Sequence, residues 1–202
     1  MQDYLMTLLG GLAITLQLTA FSLLLGVLMA AGMTWVLERR IPVATQLVQL
    51  WVLVFTGTPL LIQIFLIYYG PGQFEWLKAG PLWPLLKQPW FCAVLALGFN
   101  TAAYSTRLFK GALDAIPAGE VEACRALGFS AGQTLWMKTR HAARRLVPAY
   151  SNEVILVLKG SSLASTITIM DIMGLAQRLN AQTYDTLAAV SYTHLRAHET
   201  DS

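Results

Sequence analysis

The sequence predicts an all-α integral membrane protein. Of its 202 residues, 55% are hydrophobic and only 12% are charged, and the mean hydropathy is +0.54. Ordinary globular domains carry about 25% charged residues. The charges are also unevenly distributed, because the stretches 4–37, 41–74 and 88–106 contain none. A helix needs about 20 apolar residues to cross a bilayer, so the first two stretches can each supply one span and the third is just long enough.

A fourth apolar stretch, residues 147–176, is interrupted by Glu153, Lys159 and Asp171. Charge exposed to lipid at that depth is costly. We therefore predict a fourth span that turns these charges towards other protein or towards water. The alternative interpretation is a polar re-entrant or surface helix.

The first stretch is predicted to be a retained span and not a cleaved signal peptide. A signal peptide has an early positive charge and an apolar core of roughly 7–15 residues. Here Asp3 is the only charge before Glu38, and the apolar run is far longer than such a core.

Lysine and arginine counts in the loops predict the orientation of the chain. Cytoplasmic loops carry an excess of these residues. The loop 71–89 has only Lys78 and Lys87, whereas Arg39 and Arg40 follow the first span and a larger basic group follows the third: Arg107, Lys110, Arg125, Lys138, Arg140, Arg144 and Arg145. We therefore predict that the N-terminus lies outside and that the interval 107–150, here called the coupling loop, is cytoplasmic. The net charge of +3 then reflects this bias and not a nucleic-acid partner.

The coupling loop has the signals of two helices separated by a glycine corner. Pro117 marks a helix start, and Glu120 and Glu122 are predicted to lie in the first turn, where the helix dipole favours negative charge. Gly128 is placed to end that helix, because glycine readily adopts the left-handed conformation that a helix end requires. Ser130 and Gln133 form a capping box that opens the next helix. The prediction is a short helix, a glycine corner and a second helix, both lying along the cytoplasmic surface. Such a corner suits docking into a groove of a partner protein.

Metal and nucleotide sites are not indicated by the sequence. His141 lies some fifty residues from His194 and His198, and neither a zinc motif nor a P-loop occurs. The two cysteines, Cys92 and Cys124, would lie on different sides of the predicted membrane boundary, so we expect no bridge between them. If the protein works with ATP, another subunit must bind it.

Polar side chains at helical spacing are the candidates for a translocation path. Asn100 and Tyr104 lie one turn apart on the third span, and Gln63 lies on the second. Serine and threonine stripes, such as Thr15 and Thr19, recur on the first and fourth spans. A polar stripe can line a water-filled cavity. The alternative is that these side chains donate hydrogen bonds between helices or to backbone carbonyls.

Glu153 and Asp171 are the candidate acidic residues that could pair with a cationic ligand within the spans. Both interrupt the fourth apolar stretch, where an unpaired carboxylate is costly. The alternative is a structural ion pair, for example with Lys159 or Arg178. On the second span, Gly57 and Pro59 are interpreted as helix kinks or close-packing sites and not as substrate contacts.

Several motifs resemble those of one known family. Glu122-Ala123-Cys124, followed by Gly128, resembles the "EAA" loop of bacterial ABC-transporter permeases. The segment 56–65 (TGTPLLIQIF), Asn100-Thr101-Ala102-Ala103-Tyr104 and the segment 159–164 (KGSSLA) are similar to motifs of the polar amino-acid permeases in that family. The resemblance covers nearly everything from residue 1 to about 190 and is strongest to the arginine branch.

The resemblance implies an ABC importer transmembrane domain of type I in a bacterial inner membrane. It implies that Glu122, Ala123 and Gly128 couple this subunit to ABC ATPase subunits, which bind ATP, so that this chain has no cofactor and catalyses no covalent step. The other implied partners are a second permease subunit, homologous or identical, a periplasmic or extracellular amino-acid-binding protein, and membrane lipid. The implied substrate is arginine or another basic amino acid.

The sequence departs from the family pattern at four places, one of which is Gly160, where aspartate is common. Lys138, Arg140 and His141 stand where isoleucine, leucine and proline are usual after the loop. Arg107 stands where many relatives carry glutamate. At the C-terminus, relatives have a fifth span beginning near Leu187, whereas residues 191–202 are polar and are interpreted as a non-native tail. We therefore predict a permease domain at residues 1–190 with about four of five expected spans.

Two other classes of protein remain open from the sequence. One is a fragment of a secondary amino-acid transporter driven by an ion gradient; such proteins carry broken helices and inverted repeats, and no internal repeat is found. The other is a non-transporting membrane scaffold.

Overall fold

The computed structural model describes residues 2–183, and every regular element in that range is a helix. The predicted start of a fifth span and the predicted tail lie outside the described residues. The elements in chain order are α1 (Gln2–Arg39), α2 (Pro42–Gly57), α3 (Leu60–Tyr69), a 3₁₀ turn (Pro71–Gln73), α4 (Glu75–Lys78), α5 (Trp83–Leu86), α6 (Pro89–Asp114), α7 (Ala118–Ala126), α8 (Ala131–Gly160), a 3₁₀ segment (Ser161–Ile167) and α9 (Ile172–Thr183).

The first charge-free stretch forms the single long helix α1. Its segment Leu9–Arg39 is long and apolar enough to cross a membrane. The helix ends at Arg39, because Arg40 takes a left-handed conformation (φ 52°) and Pro42 then opens α2 from its first turn.

The second charge-free stretch, predicted to supply one span with kinks at Gly57 and Pro59, forms two helices. It divides into α2 and α3, and the two helical segments are bent by 108°. Pro59 explains the break, because proline has no N–H to donate to the carbonyl four residues earlier and its ring disfavours helical geometry in the residue before it. The kink predicted at Gly57 and Pro59 is thus present. A Cβ atom built on Gly57 would meet nothing within 4 Å, so none of the described helices packs closely at this glycine.

The third stretch forms α6, the central helix, which packs against α1, α2, α3 and α8. It runs on past the charge-free stretch to Asp114, well into the predicted coupling loop. Its buried residues include Thr101, Ser105 and Thr106 beside small apolar ones. A helix that faces protein on most sides need not be apolar throughout.

The fourth stretch is broken as well. Helix α8 continues from Ala131 through Pro148 to Gly160 and passes into a 3₁₀ segment, and Thr168 (φ 71°) then ends the run. The following helix is bent by 47° from it. Contrary to the prediction, the helix leaving the corner is therefore not a separate surface helix. The basic residues of this segment are good helix formers and do not interrupt it.

Within residues 2–183, α1 is the one unbroken helix that is both long and apolar enough to span a membrane. If each of the two bent helix pairs counts as one span, the number of candidate spans is three. Helix α6 is long enough to span a membrane but is not among these candidate spans, because it contains several polar residues. The predicted count of four spans and the predicted orientation stay predictions.

Small residues allow the main helices to approach closely. A Cβ atom built on Gly26 of α1 would lie 2.5 Å from Thr101 Cγ2, and one on Gly98 of α6 would lie 2.6 Å from Leu25 Cδ2. Such small-residue contacts are the usual means of helix packing in membranes. On the outer surface, α1 and α2 expose many large apolar side chains, among them Leu24, Leu28, Leu47 and Leu53, a distribution that suits lipid or another membrane subunit and not water.

Candidate coupling and translocation sites

The corner, residues 127–129, has the geometry predicted from the sequence. Gly128 adopts φ +79°, and Phe129 N–H donates to the Cys124 carbonyl at 3.0 Å, which closes the end of α7. Ser130 Oγ then accepts from Gln133 N–H, and Gln133 Oε1 accepts from Ser130 N–H at 2.8 Å. This reciprocal pair is the predicted capping box. The corner is therefore a defined turn between two capped helices.

The surface around the corner presents acidic and apolar groups together. Glu122, Ala123 and Gly128 are all exposed, as the coupling prediction requires. Leu127 is 74% exposed and Phe129 is 41% exposed. Large apolar side chains projecting from a polar corner are typical of a docking surface. Sequence reasoning named the acidic and glycine positions but not these two apolar ones.

The inner face of α7 attaches the corner to the helical core. Val121 packs against a cluster formed by Leu113 of α6, Ile116 in the connection after α6, and Ala142 of α8. Glu120 Oε2 lies 3.5 Å from Nδ1 of His141, which forms an ion pair when the histidine is protonated. Arg145 Nη1 donates to the carbonyl of Ala115 at 3.1 Å. These contacts fix α7 relative to both long helices.

Four charged residues link three helices near the corner, and we call them the Glu38 cluster: Glu38, Lys110, Asp114 and Lys138. Glu38, in the last turn of α1, accepts from Lys138 Nζ of α8 at 2.6 Å and lies 3.2 Å from Lys110 Nζ of α6. Lys110 also pairs with Asp114, one turn further along α6. The Glu38 and Lys138 side chains are only 18% and 19% exposed. Sequence analysis missed this cluster, because Glu38 and Lys138 are 100 residues apart.

Gln63 and Asn100, both predicted to line a path, meet at the break between α2 and α3. Gln63 Nε2 donates to the carbonyls of Phe55 and Thr58 at 2.9 Å. Asn100 Nδ2 donates to the Phe55 carbonyl and to Gln63 Oε1, both at 3.1 Å. We call these four residues the break cluster. The Phe55 carbonyl lacks its helical donor because Pro59, four residues later, has no N–H. The side-chain amides of Gln63 and Asn100 replace that donor.

A groove of about 460 Å³ lies between α2 and α6. Thr56 and Arg107 line it, so the arginine that departs from the family pattern does face a cavity. Lys110 and Asp114 of the Glu38 cluster lie at the same groove. Tyr104, predicted to line a path, is 39% exposed on α6, one turn from Asn100 and one turn from Arg107.

The two predicted acidic substrate partners lie apart from this groove. Glu153 is 5% exposed on the inward face of α8, in line with buried Val157 and Ser161. Within residues 9–181, no ion pair joins it to Lys159 or Arg178, which were the structural alternatives. Asp171 is fully buried, and its Oδ1 accepts from the Gly174 amide at 2.8 Å at the start of α9.

The serine and threonine stripes follow the alternative interpretation. Thr15 Oγ1 donates to the Gly11 carbonyl at 3.1 Å and Thr19 Oγ1 to the Thr15 carbonyl at 2.8 Å, and both residues are buried. Ser161 and Ser165 donate to carbonyls three residues earlier. These hydroxyls donate within their own helices, and Thr15 Oγ1 also accepts from the Ile172 N–H of α9 at 3.4 Å.

Comparison with known proteins assigns the family. The model of the family described as "binding-protein-dependent transport system inner membrane component" matches residues 22–193. The chain belongs to this family. It is a permease component of a transport system in the inner membrane and not an enzyme. The prediction made from the motifs is confirmed at this level.

Individual relatives support the same assignment. The arginine ABC transporter permease protein ArtM of Haemophilus influenzae is 51% identical over 186 residues, which is 92% of this chain and 82% of that protein. ArtM of Escherichia coli K12 is 50% identical over 188 residues, which is 93% of this chain and 85% of that protein. The octopine transport permease OccM of Rhizobium radiobacter is 40% identical over 91% of this chain and 76% of that protein.

A solved structure shares the fold. The structure described as "crystal structure of an amino acid ABC transporter with histidines" superposes with a TM-score of 0.81 and 26% identity, over 98% of this chain and 94% of that chain. The predicted type I transmembrane architecture of ABC importers therefore matches the described helices.

Proposed function

We propose that this chain is the permease subunit of an ATP-driven importer for amino acids, with arginine or a related basic amino acid as substrate. Family membership supplies the permease role and a binding-protein partner. The proposed substrate class follows the relatives at 50–51% identity, which are arginine permeases by name. ATP is then bound by separate ATPase subunits, and this chain supplies the path and the coupling surface.

The observation that carries the substrate class is the position of Glu153. Its carboxylate lies on the inward face of α8, 5% exposed, and makes no ion pair with another residue in the range 9–181. An ionisable group without a partner inside a membrane protein is costly and typically functional. A cationic side chain passing through the bundle would supply the missing charge. Asp171, Gln63, Asn100 and Tyr104 remain proposed path residues.

Gln63 and Asn100 would act in the path through the break they hold. Their hydrogen bonds to the Phe55 carbonyl fix the bend between α2 and α3. Irregular backbone at membrane depth is tolerated where it is buried in protein or lines a cavity. We therefore propose that the break cluster shapes the path and does not bind the substrate charge.

The proposed partner on the open side is a second permease subunit, either similar or a copy of this chain. The groove between α2 and α6 is flanked by exposed apolar residues of α2 such as Leu47 and Leu50. A second subunit would close this groove and bury that surface. On the other face, Glu122 and Ala123 of α7 and Gly128 of the corner would dock on the ATPase.

The test of the substrate class uses the complete importer in liposomes, assembled with its ATPase and binding protein. Glu153→Gln removes the charge at constant size, and Glu75→Gln does the same at an exposed residue with a 92% exposed side chain. We expect Glu153→Gln to lower arginine uptake by tenfold or more while the loaded binding protein still stimulates hydrolysis. Unchanged uptake would contradict the role of Glu153. Uptake that needs an ion gradient and no ATPase would instead refute the importer.

A further inference from the structure

The Glu38 cluster occupies a place where the direct packing between α1 and α8 is incomplete. A groove of about 370 Å³ separates the end of α1 from the corner, and its lining includes Glu38, Val121, Phe129 and Lys138. Deeper in the protein, a mainly apolar cavity of about 270 Å³ lies between α1, α6 and α8. Glu38 lines both spaces. The Glu38–Lys138 contact thus bridges two helices at a point where empty space lies on either side of it.

The geometry of this contact differs from that of an ordinary surface ion pair. Exposed ion pairs contribute little, because water and salt screen them and two long side chains must be ordered. Here both side chains are less than one-fifth exposed, and Lys138 Nζ lies 2.6 Å from the carboxylate. Charge-assisted hydrogen bonds of this length are the stronger ones. Lys110 at 3.2 Å supplies a second positive charge, which Asp114 shares.

Lys138 lies where it must move together with the corner. It lies in the first turns of α8, two turns after the capping box of Ser130 and Gln133. Because α8 is continuous from Ala131 to Gly160, a displacement of the corner moves Lys138 with it. Glu38 is the group on α1 that Lys138 contacts, and α1 packs along α6 at the centre of the bundle.

We propose that Glu38 and Lys138 are positioning residues that transmit movement of the corner to α1. They do not touch the ATPase or the substrate; they keep α8 and α1 moving together when the corner is displaced. The inference rests on the coupling role proposed for the corner. Lys110 has a secondary part, since it holds the Glu38 carboxylate between α6 and α8.

The experiment measures substrate transported per ATP hydrolysed by the complete importer in liposomes. The variants are Glu38→Gln, Lys138→Gln, the double variant, and Lys138→Arg as the conservative change. We expect each single neutral variant to lower the ratio three- to tenfold and the double variant to be no worse than either single one. Lys138→Arg should retain at least half of the ratio, because arginine can keep the charge-assisted bond.

The matched control is the exposed pair Glu75–Lys78, joined at 3.4 Å far along the chain from the corner. Glu75→Gln and Lys78→Gln should leave the ratio unchanged. Thermal unfolding of the purified importer is followed in parallel, because a merely structural pair would lower stability and the amount of folded protein without changing the ratio per ATP. A ratio that stays at the wild-type value in both single variants, or losses that add in the double variant, would overturn the proposal.

Failure of this inference can be separated from failure of the proposed function. A Gly128→Val variant, which strains the corner itself, is measured in the same assay. If it uncouples the importer and the Glu38 and Lys138 variants do not, the corner couples and the proposed transmission is wrong. If none of these variants changes the ratio, the coupling role of the corner is itself refuted.

Discussion

Gly128 offers a sharp test of the corner, because the structure separates backbone strain from steric conflict there. Its φ of +79° lies in the left-handed region, yet a Cβ atom built on it would meet nothing within 4 Å. A substitution at Gly128 therefore acts through the backbone alone within this subunit. We expect coupling to fall in the order Gly128→Asn, Gly128→Ala, Gly128→Val, with the largest loss for valine.

The magnitude follows from the cost of the left-handed conformation. An L-residue other than asparagine or aspartate pays roughly 1–2 kcal/mol there, and a β-branched residue pays more. A penalty of about 1–2 kcal/mol lowers the population of the native corner roughly 5- to 30-fold relative to other conformations. The hydrogen bond from Phe129 N–H to the Cys124 carbonyl would be lost in those conformations. Asparagine tolerates this region best after glycine and should cost the least.

The assay is ATP hydrolysis by the reconstituted importer with and without loaded binding protein. We expect the alanine variant to retain a minor part of the stimulation and the valine variant almost none, while basal hydrolysis by the ATPase subunits is unchanged. The asparagine variant is the control for size, since it is larger than alanine but less strained. Stimulation that falls with side-chain volume, so that asparagine is worse than alanine, would refute the backbone argument and indicate a crowded docking interface.

Two further predictions concern the stability of the bundle in detergent. Gly26→Ala would place a methyl group 2.5 Å from Thr101 Cγ2, so α1 and α6 must separate at a cost of about 1–3 kcal/mol. Gly32→Ala meets nothing within 4 Å and should be as stable as the parent or slightly more stable, because alanine favours the helix; equal melting temperatures for the two variants would contradict this packing. Gln63→Leu removes a donor from the Phe55 carbonyl and should cost about 1–3 kcal/mol, which lowers the melting temperature by several degrees. The control variant Gln49→Leu, at an exposed position, should unfold like the parent. A Gln63→Leu variant as stable as the parent would show that Asn100 alone satisfies the Phe55 carbonyl.

Much of the architecture near the corner was accessible from the sequence because its signals are local. Pro117, Gly128 and the Ser130–Gln133 box each act through backbone geometry within a few residues, and the structure confirms them. Charge-free length was a weaker guide. It could not show that α2 and α3 are bent by 108°, because apolar composition does not report direction, although Pro59 marked the position of the break.

Polar residues inside the spans were the hardest to interpret, since two physical demands select the same residue types. A path needs polar side chains, and so does a backbone carbonyl that has lost its donor. Gln63 and Asn100 meet the second demand at Phe55. The sequence did contain the relevant signal: Phe55 lies four residues before Pro59, so its carbonyl must find another donor. The nearest side-chain amides should therefore be considered first as donors to this carbonyl and only then as the lining of a path.

Lys138 illustrates why a departure from a family pattern cannot be judged from one segment. In the sequence it is a charge at a position where isoleucine is usual, which indicates altered docking of the helix that leaves the corner. In the structure its ammonium lies 2.6 Å from Glu38, and both side chains are mostly shielded from water. Glu38 is the first charge after the apolar stretch 4–37, so it lies where α1 reaches the level of the corner.

An apolar residue at position 138 would leave the Glu38 carboxylate with Lys110 alone. Burying a carboxylate after removing one of its partners is costly. The lysine and the glutamate therefore have to be considered as one unit, and the departure at position 138 is compatible with an intact connection between the corner and α1.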